Sequence, residues 1–88
     1  MVALVLIEGS ADATLKMQSL LQTIADDCLV VRHGVCFVSM HTITVRDLRD
    51  LLKYEEGCTG ILVTSLGSWA SKGATETANW LTSQRHSF

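Results

Sequence analysis

Apolar positions along this chain switch between runs, alternation and helical spacing, and the switches mark out its elements. Val2 to Ile7 (VALVLI) is an unbroken apolar run rich in β-formers, which predicts a central strand covered on both faces. Gly9-Ser10-Ala11-Asp12 supplies turn and N-cap chemistry. Met17, Leu20, Leu21 and Ile24 follow at i, i+3, i+4, i+7 spacing, predicting an amphipathic helix through Ala25. From Cys28 to Met40 (CLVVRHGVCFVSM) two short strands are split by His33-Gly34, a two-residue hairpin turn in which glycine accepts positive φ.

In the plain hairpin register Arg32 faces Val35, Val31 faces Cys36, Val30 faces Phe37 and Leu29 faces Val38. One face then carries Leu29, Val31, Cys36, Val38 and Met40, all apolar, and is assigned to the helices. The other carries Cys28, Val30, Arg32, Val35, Phe37 and Ser39. There the pair Val30 and Phe37 is large enough to prefer cover, which points to a partner.

Thr44-Val45-Arg46-Asp47 has the form of a capping box with aspartate in place of glutamate. Val45, Leu48, Leu51 and Leu52 give the second helix its stripe, and Gly57 is a natural stop. Thr59 to Leu66 (TGILVTSL) reads as the last strand, Gly67 to Gly73 as a loop holding Trp69, and a terminal helix starts at Thr75 or Glu76 and carries Ala78, Trp80 and Leu81. The tail from Gln84 is expected to fray.

These elements sum to an α+β, ferredoxin-like βαββαβ antiparallel sheet with two helices on one face and an extra C-terminal helix. The expectation is a single domain over residues 1–88, with a core of about 2–66 and the terminal loop and helix at about 67–84. Two right-handed crossovers are expected to set the first and last strands side by side in the centre and the hairpin strands at the edges. The sheet's second face stays open for the terminal helix, weighted by Trp69 and Trp80, or for a second copy of the chain. The second copy is favoured, and both covers can coexist.

Composition bounds the function classes. The 88 residues are 48% hydrophobic and 18% charged, which argues against disorder and leaves apolar surface to spare. A net charge of -2 gives no global field to attract nucleic acid. Cys28, Cys36 and Cys58 form no CxxC pair, so reduced, partly buried thiols are expected. The apolar start lacks a basic region and is cut off by Glu8, so no signal peptide, no membrane contact and a cytoplasmic location are expected.

Candidate chemistry is sparse. Glu8 ends a buried strand, where ligands gather, and paired with a second copy's Glu8 it is a candidate metal ligand and catalytic residue. Arg32, His33 and Arg46 are a candidate basic corner for nucleic acid or a partner, while Lys16, Lys53, Lys72 and Arg85 are scattered. Val30, Phe37, Trp69 and Trp80 are the candidate dimer-interface residues. His33, His41 and His86 have no metal-cluster spacing, and Ser10, Ser65 and Ser68 have no visible His-Asp arrangement.

The order of elements, a first strand ending in a carboxylate, TVRDLRDLL at the second helix and the closing stretch ILVTSLGSWASKGATETANWL resemble the small SinR-like proteins. That group looks related to the CRISPR-associated adaptation nuclease-fold subunit and to virulence-associated protein D. The resemblance implies a dimeric ferredoxin-like scaffold. It also implies, for the wider family, an aspartate at the end of the first strand that holds a divalent metal across the dimer; Glu8 matches that position, one methylene longer, and Ile7 replaces the frequent aromatic before it.

Two functions stay open. One is a homodimeric protein- or nucleic-acid-interaction module with no catalysis and no cofactor, of the kind a phage or mobile element uses to regulate a host complex. The other is an endonuclease that uses Glu8 with Mg²⁺ or Mn²⁺.

Overall fold

The structure, a computed structural model, describes residues 1–53 and 55–84. Along the chain come β1 (Val2–Gly9), α1 (Ala11–Ile24), β2 (Asp27–Arg32), β3 (Val35–Ser39), α2 (Val45–Leu51), β4 (Cys58–Ser65) and α3 (Thr75–Ser83). Ser10 caps α1 by accepting a hydrogen bond from the Ala13 N–H at 3.2 Å. The Thr44–Asp47 capping box forms in full, both bonds at 3.1 Å. The tail expected to fray beyond Gln84 lies outside the described residues.

The four strands make one antiparallel open sheet in the order β2-β3-β1-β4. This α+β arrangement of four strands and three helices is compatible with a ferredoxin-like fold. The expected neighbours β1 and β4 do pair, but β4 is an edge strand and β3, not β4, shares the centre with β1. The crossover through α1 leaves a gap of one strand between the parallel β1 and β2, and the returning hairpin strand β3 fills it.

The hairpin register also differs from the plain one. Arg32 faces Val35 across the two-residue turn as expected, but Val30 then faces Cys36 and Leu29 faces Phe37, because an irregularity at Val31 inserts one extra residue. A one-residue insertion reverses the faces of everything beyond it. Cys28 and Val30 therefore join Cys36, Val38 and Met40 on the helix face, and Leu29 moves to the other.

The core lies between that face and the two helices. Ala3, Val5 and Ile7 of β1 meet Met17 and Leu21 of α1 and Leu48 and Leu52 at α2, with Cys36 and Val38 fully buried among them. The β1 end is held by close backbone approaches. The Gly34 carbonyl accepts from the Ile7 N–H at 2.8 Å, and the Gly34 N–H donates to Gln18 Oε1. Gly34 sits at φ 82°, and a Cβ there would stand 2.7 Å from the Ile7 carbonyl oxygen, so no other residue fits without moving backbone.

Candidate functional site

The sheet face turned away from α1 and α2 is built from alternate residues of each strand, and pairing sorts them into rows. The first row holds Asp27, Ser39 and Val2; the second Leu29, Phe37, Leu4 and Thr64; the third Arg32, Val35, Leu6 and Leu62; beyond it Glu8 stands opposite Gly60.

α3 packs over the middle of the first two rows and leaves Asp27 and Thr64 at their ends exposed. Val2 and Ser39 are buried, as is Leu81 of α3, and the Trp80 ring lies against Phe37. The helix end is tied down by Gln84 Nε2 donating to Asp27 Oδ2 at 2.7 Å. The chain reaches α3 by leaving β4 at Leu66, whose N–H donates to the Val2 carbonyl at 2.8 Å.

The third row is left outside this cover. Leu6 and Val35 are half-buried, Leu62 is 53% exposed, and Val31 at the bulge is 40% exposed. The row runs out onto β4, an edge strand whose sequence CTGILVTS contains neither charge nor proline. Such an edge lacks the usual devices that discourage strand pairing with another chain.

Glu8 is exposed at the end of β1, beside a register shift between Glu8 and Gly9, and its side chain has no hydrogen-bond or ion-pair partner among the described residues. Gly57, at φ 95°, supports this corner: its carbonyl accepts from the Ser10 N–H at 3.0 Å, and a Cβ on it would stand 2.7 Å from Ser10 Oγ. Among the described residues no group of three or more His, Cys, Asp or Glu side chains is placed to hold a metal ion.

The candidate basic corner is divided. Arg32 and His33 sit at the hairpin tip, at the Glu8 end of the sheet. Arg46 sits in the first turn of α2, which follows β3 at the Val2 end, roughly 20 Å away along β1. Of the candidate interface residues, Phe37 and Trp80 face each other, Trp69 lies in the loop before α3, and Val30 packs against the core cluster. His86 and Arg85 lie outside the described residues. Among the described residues no hydrogen bond joins Ser10, Ser65 or Ser68 to a histidine.

Three features were not legible as sites in the pattern. A cleft of about 300 Å³ opens between Phe37, the loop after β4 and α3. His41 at the end of β3 bonds Asp26 before β2, through its N–H at 2.8 Å and its Nδ1 at 2.6 Å, and these bonds hold the Asp26 carboxyl below its usual range. The bulge brings Cys28 and Cys36 to diagonal positions on one face. The hydrogen bond between them lowers the Cys28 thiol from its ordinary range, and the same bond, with burial, pushes Cys36 up.

In comparisons with protein-family models, with curated proteins and with solved structures, nothing matches this chain. No helix among the described residues is long and apolar enough to cross a membrane. The sheet, its helical cover and its uncovered row thus define the class, a small α+β domain with an open antiparallel sheet.

Proposed function

We propose that this chain is a homodimeric interaction module on a ferredoxin-like scaffold, without chemistry of its own, that engages another protein or nucleic acid. One observation carries the reading: the apolar stretch Val35, Leu6 and Leu62, headed by Arg32 at the hairpin, is left uncovered by α3 and ends on the uncharged edge strand β4. Apolar surface of this kind on so small a domain favours burial against another chain. The SinR-like resemblance supports the same reading, and a phage or mobile-element regulator of a host complex is the role that fits it. Arg32 heads the row and His33 stands in the turn beside it, and the two offer the partner polar contacts.

A metal-dependent endonuclease is the second reading, and one feature favours it. Glu8 lies on the same sheet face as Leu6 and Leu62, just past the uncovered row. A two-fold axis through that row brings two Glu8 carboxylates toward each other, a donor set suited to Mg²⁺ or Mn²⁺.

The deciding experiment is cleavage and gel shift of short single- and double-stranded RNA and DNA with Mg²⁺, Mn²⁺ or EDTA, comparing wild type with Glu8→Gln. No cleavage by either protein is expected. Metal-dependent cutting that disappears in Glu8→Gln replaces the module reading with the nuclease.

A further inference from the structure

The cleft beside α3 is the feature left unused by the reading above, and it lies at the Val2 end of the sheet, away from the uncovered row. Its cause is local. Ala70 and Ala74 of the loop and Ala78 of α3 present methyl groups where the neighbouring walls are Trp69, Phe37 and Leu81, so the helix docks with a gap that larger residues would fill. At about 300 Å³ it is comparable with the smallest ligand pockets.

Its charge is one-sided. Lys72 is the sole charged residue of the lining; it is exposed, and it has no ion pair among the described residues. No acidic side chain lines the cleft, although the chain as a whole carries a net charge of -2. Ser71 and Thr77 are the other polar residues of an otherwise apolar lining. An occupant that satisfies this lining has an apolar, ring-sized body against Trp69 and Phe37 and one negative group at Lys72.

We propose that this cleft binds a small amphipathic carboxylate, with its apolar body between α3 and the loop and its carboxylate at the Lys72 ammonium. The ion pair is exposed, so the cation supplies selectivity more than affinity.

The test is a titration of the full chain with phenylbutyrate, and with the alcohol and the amine of equal chain length. Tryptophan fluorescence and the amide shifts of Thr77 and Ala78 report binding. Phenylbutyrate is expected to bind about 1.4-fold to fivefold more tightly than the alcohol, the range an exposed ion pair supports, and the amine more weakly than both. Lys72→Gln should bring the carboxylate down to the alcohol's affinity and leave the alcohol unchanged. Ala78→Trp, which fills the cleft, should abolish binding of all three, and Ala70→Leu serves the same purpose if Ala78→Trp fails to fold. An alcohol bound as tightly as the carboxylate by wild type, undiminished binding by a folded filled variant, or the absence of any saturable shift overturns the proposal.

Discussion

The rings of Phe37 and Trp80 lie tilted against each other across the sheet face, with centroids 6.3 Å apart and planes at 39°. Phe37 is held by the central strand β3 and Trp80 by the last helix, so this contact fastens the end of the chain to the middle of the sheet. Aromatic pairs at this spacing contribute about 0.5–1.5 kcal/mol beyond the area they bury.

Removing one ring should therefore loosen α3 before it unfolds the domain. Trp80→Ala is expected to cost about 2 kcal/mol in urea unfolding and to speed amide exchange in α3 more than in α1. Trp80→Phe should recover most of both. Equal acceleration in α1 and α3 would mean that the terminal helix is not a separately fastened element.

The bulge at Val31 makes a sharp contrast between adjacent residues. Val30 packs on the core cluster and Val31 is exposed, so Val30→Asp should cost several kcal/mol or prevent folding, because an unpaired charge is buried. Val31→Asp should stay within about 0.5 kcal/mol of wild type. The plain hairpin register requires the opposite order, and thermal unfolding of the two variants decides between them.

The thiol pair gives a pH dependence with a definite sign. The lowered Cys28 contributes stability above its unfolded pKa and loses it as pH falls through the folded one. The raised Cys36 contributes stability below its unfolded pKa, and this is lost as pH rises. Alkylation with mass-spectrometric readout should thus modify Cys28 at lower pH than Cys36. Cys36→Ala removes the hydrogen bond and should raise the apparent pKa of Cys28 read from its alkylation rates; an unchanged or lowered value would exclude the bond as the cause.

The elements were legible because each residue's local neighbours decide them: the strand at the apolar run of β1, the helix α1 and the capping box at Thr44 all form, although β1, read as covered on both faces, is only half-buried at Leu4 and Leu6 on its outer face. Strand order was half legible. Crossover handedness puts β4 beside β1, but the place of β3 depends on where the hairpin returns, which no local pattern encodes. The register failed at Val31 because alternation assumes no inserted residue, and neither a glycine nor a proline marks the bulge. With the register, Val30 left the open face for the core. The division of Arg46 from Arg32 and His33, and the cleft at Lys72, depend on how helices dock, which sequence spacing does not carry.

The exposed leucine on β4 bears on the central claim most directly. Size-exclusion chromatography with light scattering should show wild type as a dimer, and Leu62→Asp, which places a charge in the uncovered row without touching the core, as a folded monomer. Leu15→Asp on the exposed side of α1 serves as the control and should remain a dimer. A monomeric wild type, or a folded Leu62→Asp variant that still runs as a dimer, contradicts self-association through this face.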